Sequence, residues 1–338
     1  MAGAVVELDP RIDQHRRELT GFCYRMLGSA VDADDAVQEV LVRAWKGLTS
    51  FEGRSSIRSW LYKIATNVCL DALESRKRRA LPVDMSPSPS APVIASLGSP
   101  LVESAFVQPM PSDRLIQPVA DPAEQAVLRN SVRLAFVAAL QHLPPKQRAV
   151  LILCEVLRWS AAEVATLLET TVASVNSALQ RARATMETVK GSALGHSLKP
   201  TNAGALSPEH TQLLRSYVAA FESYDMSTLA TLLAEDAIQS MPPYSLWLQG
   251  RDNLITWMLG PGAPCEGSRL IAMDLNGTPA FAQYRHNPDR SWTRWALQLL
   301  DIRDGRIEEM TFYLGTDLFE RFGLPLQPPE ALVRSAAH

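Results

Sequence analysis

In the stretch 57–79, IRSWLYKIATNVCLDALESRKRR, apolar or small residues recur at Trp60, Leu61, Ile64, Ala65, Val68, Ala72 and Leu73. That is the period of a helix with one buried face. Off that face lie Arg58, Lys63, Asn67 and Asp71, and the segment ends in the cluster Arg76, Lys77, Arg78 and Arg79. The polar loop FEGRSS, with Arg54 and Ser55, feeds directly into it. Polar loop, aromatic ring and basic rail suit single-stranded nucleic acid, whose bases stack while its phosphates are neutralised along a groove. An ordinary surface helix with a basic C-terminal turn fits the same residues, so the pattern alone leaves both readings open.

Two helices precede this one. The first spans about 11–27, with Leu19, Phe22, Cys23, Met26 and Leu27 inward and Gly28 as its stop. The second opens at Asp32 as N-cap and turns Val37, Leu41, Ala44 and Leu48 inward, leaving Asp35, Gln38, Glu39, Val42 and Lys46 on the opposite edge. Over 81–122 the apolar period disappears and prolines stand at nine positions, which predicts an extended spacer separating two folded units. Helical pattern resumes at Asp121-Pro122, with helices over 124–142 and, after a Leu-Pro-Pro break, 146–157. Ser160 and Glu163 form a capping box opening a short helix, and after a brief turn VASVNSALQRARATME gives a longer one. Short helix, turn and second helix predict a helix-turn-helix. Ser174, Asn176, Ser177, Gln180, Arg181 and Arg183 face away from its core and can bond base edges or phosphates. A helical bundle without DNA contact has the same pattern.

From 207 the chain reads as two helices, to about 224 and over 226–234, followed by strands. Asn276-Gly277 and Asp304-Gly305 mark two tight hairpins. Helices first and an antiparallel sheet after predict an α+β cone, with Trp247, Trp257, Trp292, Trp295, Phe281 and Phe312 as core or lining.

Composition changes this picture in three places. The net charge of -3 over 338 residues conceals the basic stretch 54–79, so overall charge does not argue against nucleic acid. The four cysteines, at 23, 69, 154 and 265, form no CxxC pair, which predicts free thiols and neither a metal site nor a cofactor. With no spanning segment and no signal-peptide pattern, a soluble cytoplasmic protein is expected.

The segments DADDAVQEVLVRAW, FEGRSSIRSWLYKIATNVCLDALESRKRR and LPPKQRAVLILCEVL…SAAEVATLL…VASVNSALQRAR together resemble the extracytoplasmic-function group of bacterial sigma-70 factors. The resemblance implies two all-α sigma domains, over 1–80 and 121–190, joined by the linker 81–120. It implies core RNA polymerase as partner, through the β′ clamp helices and β flap, with Asp35, Gln38, Glu39 and Val42 as clamp contacts. Promoter DNA is the other partner. Arg54, Ser55, Arg58, Trp60, Lys63, Asn67, Asp71 and Arg76 to Arg79 would hold the single-stranded -10 element, with Asn67 and Asp71 at a flipped base. Ser174, Asn176, Ser177, Gln180, Arg181 and Arg183 would meet duplex at -35. After a linker over 191–206, residues 207–330 resemble a SnoaL-like domain, implying either a regulator of the sigma domains or a small-molecule sensor or enzyme using Asp274, Tyr284, His286 or Asp301. A DNA-binding regulator that leaves core polymerase alone is the remaining alternative.

Overall fold

The computed structural model describes residues 9–53, 55–74, 77–199, 207–315 and 317–329. Arg16–Leu27 (α1) ends at Gly28, whose φ of 67° suits a residue without Cβ and whose N–H returns to the Tyr24 carbonyl. A separate turn of helix, Pro10–Asp13, precedes it, so the run expected over 11–27 is broken. Ala30–Gly47 (α2) is capped by Ser29, not Asp32: the Ser29 hydroxyl accepts from the Asp32 N–H, while the Asp32 carboxylate accepts from Arg79. Ile57–Leu73 (α3) starts at Ser56, whose side chain accepts from Ser59 N–H. Phe22, Leu41, Leu61 and Ala65 are sealed where these three helices pack.

The second helical group comprises Pro122–Asn130 (α4), Leu134–Leu140 (α5), Pro145–Leu151 (α6), Ala161–Leu167 (α7), Val172–Lys190 (α8) and Leu194–Ser197 (α9). The stretch expected as one helix over 124–142 divides between α4 and α5, where Ser131 and Arg133 turn to distant partners. After α6 the helix relaxes into a π-turn over Ile152–Val156. The Ser160–Glu163 capping box forms in both directions.

Pro208–Ser223 (α10) and Met226–Leu232 (α11) lead into Leu233–Ser240 (β1) and Trp247–Gln249 (β2). Arg251–Leu259 (α12) is followed by Arg269–Leu275 (β3), Thr278–His286 (β4), Trp292–Arg303 (β5) and Arg306–Leu314 (β6). The sheet order is β2-β1-β6-β5-β4-β3, with β1 and β6 parallel and all other neighbours antiparallel. Both expected hairpins form, each with two successive residues at positive φ: Asn276 and Gly277, then Asp304 and Gly305. One face of the sheet packs Phe281, Leu300 and Phe312 beneath α10 and α12 with Tyr217, Phe221 and Trp257. Trp247 lies on the other face, while Trp292 and Trp295 are only partly buried.

That other face is not open. Ile238, Ala282, Leu297, Leu299 and Tyr313 belong to the same apolar cluster as the helical half, together with Val107, Met110, Leu115 and Ile116 of the proline-rich segment. The expectation of a spacer separating folded units is therefore corrected. Proline denies the segment a regular ladder, but its remaining backbone groups pair singly with several elements. Ala80 N–H bonds Ala105 O, Gln108 N–H bonds Gly28 O, Ser90 N–H bonds Trp247 O, and Leu101 N–H bonds Pro243 O.

Candidate nucleic-acid interface

On α3 the period that buries Leu61, Tyr62, Ala65, Val68 and Cys69 leaves Asn67 and Asp71 exposed. Trp60 is half-buried, its ring 5.0 Å from that of Phe51 and close over Gly47, where a Cβ would come within 2.9 Å of the indole. Ser55 is exposed, whereas Arg54 and Arg76 lie outside the described residues.

Most cations expected to meet phosphate are already engaged. Arg58 donates to Glu18 at 2.8 Å, with its guanidinium 5.2 Å from the Tyr62 ring centroid and 5.4 Å from that of Trp159. Lys63 bonds Glu169 at 2.6 Å, reaching the helix-turn-helix turn between α7 and α8, and this ammonium holds the Glu169 carboxyl below its ordinary range. Arg78 pairs with Asp84, and Lys77 is exposed. Arg79 departs from the expected phosphate rail: it is 7% exposed, ion-paired to Asp32 at 2.7 Å and bonded to the Phe106 carbonyl. The linker, absent from any reading of α3 alone, has drawn it inward.

The second helix of the motif is different. Thr171 caps α8 by accepting from Ser174 N–H, and Val175, Ala182, Met186 and Val189 anchor its buried stripe. Asn176, Ser177, Gln180 and Arg181 stand exposed on the opposite side, as does Ser174, and Arg183 pairs with Glu155 across the surface. On α2, Asp35, Gln38, Glu39 and Val42 form one exposed stripe, continued by Trp45 at 50% exposure. Such a stripe, with two large apolar residues in water, is a surface that a partner protein would cover.

The tip of the β3–β4 hairpin joins the parts. Asn276, fully buried, donates to the Tyr24 hydroxyl of α1 and the Val132 carbonyl between α4 and α5, each at 2.6 Å. Its side-chain oxygen accepts from Met110 N–H of the linker at 2.9 Å. Tyr24 in turn donates to the Gln108 carbonyl, and Gly277 N–H bonds the Ser112 hydroxyl. A Cβ at Gly277 would lie 3.0 Å from the Arg129 carbonyl, so the turn's close approach depends on glycine. One side chain thus satisfies groups from both helical units and from the segment between them. Sequence reasoning marked Asn276 as a turn residue and missed this role.

A second contact is ionic. Arg133, 4% exposed, bonds Asp301 at 2.6 Å and the carbonyls of Ser197 and Lys199. Glu309 on β6 pairs in register with Asp301. Burial foremost, and then the Asp301 charge, push its carboxyl up to about 7. The four groups named as candidates for catalysis are dispersed: Asp274 is bonded by Ser112 and Arg129, Asp301 by Arg133, Tyr284 donates to the Pro325 carbonyl, and His286 packs on Trp292. Among the described residues no cluster of potential metal ligands occurs, and no helix is long and apolar enough to cross a membrane.

Comparison with known proteins adds three matches to domain families: Sigma-70 region 2 over residues 11–79, Sigma-70 region 4 over 133–186, and a SnoaL-like domain over 214–310. The ECF RNA polymerase sigma factor SigG of Mycobacterium tuberculosis H37Rv is 44% identical over 318 residues, covering 93% of this chain and 82% of that protein. SigM of the same strain is 28% identical over 191 residues, covering 56% of this chain and 81% of its own. The crystal structure of the M. tuberculosis extracytoplasmic function sigma factor SigJ superposes with a TM-score of 0.60 at 20% identity, over 93% of this chain and 98% of that one. This last likeness is one of fold.

Proposed function

This chain belongs to the extracytoplasmic-function sigma factors of the sigma-70 family and directs transcription initiation by RNA polymerase; from that premise we propose that its SnoaL-like domain holds the sigma regions in a closed, promoter-blind arrangement. The observation carrying this reading is Asn276, whose single amide is bonded to α1, to the linker and to the turn between α4 and α5. Tethering gives the hairpin a high effective concentration, so a contact too weak to survive between separate proteins suffices within one chain.

In this account residues 1–80 are region 2, 81–120 the linker, 121–190 region 4, 191–206 a second connection and 207–330 the regulatory domain. Asp35, Gln38, Glu39 and Val42 meet the β′ clamp helices, and region 4 also meets the β flap. On opening, Arg58 and Lys63 exchange Glu18 and Glu169 for phosphate. Trp60, Asn67 and Asp71 then take the unwound -10 strand with Ser55, Lys77 and Arg78, while α8 reads the -35 duplex through Asn176, Ser177, Gln180 and Arg181. A flipped base recovers part of the few kcal/mol that strand opening costs. The polymerase supplies the chemistry. For the C-terminal domain we favour regulation over catalysis because Asp274 and Asp301 are bonded to the linker and to residues between the helices.

The test is run-off transcription with core enzyme by full-length protein and Asn276→Ala. Release of the hairpin raises activity on a cognate promoter; unchanged activity in a folded variant contradicts the reading.

A further inference from the structure

Arg25 of α1 is a buried cation without a countercharge. It is 2% exposed, and its Nε and Nη2 bond only the neutral oxygens of Ser131, at 2.7 to 3.2 Å. Its Nη1 makes no hydrogen bond among the described residues, and no carboxylate pairs with it there. Burial pushes the guanidinium down to about 10. A buried charge in this condition is costly unless something pairs with it.

Arg25 lines a cavity of about 470 Å³, within the size range of small-molecule sites. The walls come from α1, the linker's end, α4 and the π-turn, and one side is apolar, formed by Leu115, Val127, Leu128 and Val156. Gly21 keeps the Arg25 end open: a Cβ there would fall 3.0 Å from Nη1 and 2.6 Å from the Leu115 carbonyl oxygen. Three carboxylates also line the cavity. Glu18 is already bonded by Arg58 and Tyr62 and contacts His15, Asp121 is exposed and caps α4, and Glu124 is exposed in the first turn of that helix. Arg58, held by Glu18, and the exposed Arg158 complete the charged lining, so Arg25 is the one buried charge of this cavity without a countercharge among the described residues.

We propose that this cavity binds a small organic carboxylate, its oxygen on Arg25 Nη1 and its apolar body against Leu115, Val127, Leu128 and Val156. The site rests on the closed arrangement, because its walls meet only while α1, the linker and α4 are packed together. An occupant bridges region 2, linker and region 4, and so favours closure.

The experiment is thermal unfolding of the full chain at constant ionic strength, with chloride exchanged for benzoate or for phosphate. Benzoate raises the midpoint saturably, as a ligand of the folded state must. Arg25→Met and Val127→Trp, the latter at a part-exposed cavity position, each shift the half-saturating concentration at least tenfold upward. Should Arg25→Met not fold, Val127→Trp carries the comparison. A benzoate effect that is absent, equal in the variants or matched by phosphate overturns the assignment. Cross-linking between positions 63 and 169 on the same preparations separates the causes. A chain that cross-links without a benzoate effect overturns only the site, whereas one that does not cross-link overturns both closure and site.

Discussion

The two helices proposed to face DNA differ in what their polar residues are doing. On Ile57–Leu73, Arg58 and Lys63 are bonded to carboxylates of the same chain, and Arg79 beyond its end is drawn into the linker. On Val172–Lys190, Asn176, Ser177, Gln180 and Arg181 stand exposed. In the proposed account, this difference means that closure acts mainly on strand capture at -10. The edge proposed to read duplex stays exposed, although Glu169 in the turn before it supplies the carboxylate that pairs with Lys63.

The largest expected effect is that of Asn276→Ala. It removes one bond from a buried N–H and one to a buried carbonyl, each loss worth about 1 to 3 kcal/mol, as well as the bond to the Tyr24 hydroxyl, which still donates to the Gln108 carbonyl. Chemical denaturation is expected to show about 3 kcal/mol of destabilisation, and run-off transcription to rise at least tenfold, since about 1.4 kcal/mol is already a factor of ten and the loss exceeds it. A loss of stability with no change in transcription would break the link between hairpin and -10 helix.

Next comes pH. Glu309 is held up to about 7 from its ordinary 4.5, so the packed state binds its proton more tightly than the unfolded chain does. Its contribution is complete below 4.5 and is lost progressively as pH rises to 7. The groups around it are Asp301, Arg133 and Arg303. The expected loss is a few kcal/mol, read as a falling unfolding midpoint between pH 5 and 7. Glu309→Gln flattens that slope.

Arg181→Ala tests the exposed helix. If it contacts a base edge, about 1 to 3 kcal/mol of discrimination disappears at one -35 position, and equal activity on all templates would remove it from the reading set. Smallest is Lys63→Ala. Its partner Glu169 is 72% exposed, so solvent screens the pair and its loss hardly changes stability. Salt titration of promoter binding by the open complex should nevertheless show a shallower slope.

How far these features could be read from sequence follows from their range along the chain. Local signals succeeded: the Asn-Gly and Asp-Gly turns, the Ser160–Glu163 box and the exposed edge of Val172–Lys190 all depend on neighbours within a few residues. Leu233–Ser240 was hidden because Leu229, Leu232 and Leu233 continue a helical period into the strand. The linker's burial was illegible for a different reason. Proline density predicts an irregular backbone, but says nothing of partners such as Trp247, Pro243 and Asn276 far along the chain. At the candidate interface, sequence supplied which side chains could meet DNA, while their present engagement with Glu18, Glu169 and Asp32 depended on tertiary packing.

The most direct measurement joins the two helices covalently. With Lys63→Cys and Glu169→Cys linked through two disulfides by a short bis-methanethiosulfonate reagent, and the single variants as controls for the native cysteines, run-off transcription is measured before and after reduction. The linked chain is expected to be inactive and to recover on reduction to the level of the unlinked double variant. A linked chain that initiates as well as its reduced form would contradict closure as the means of control.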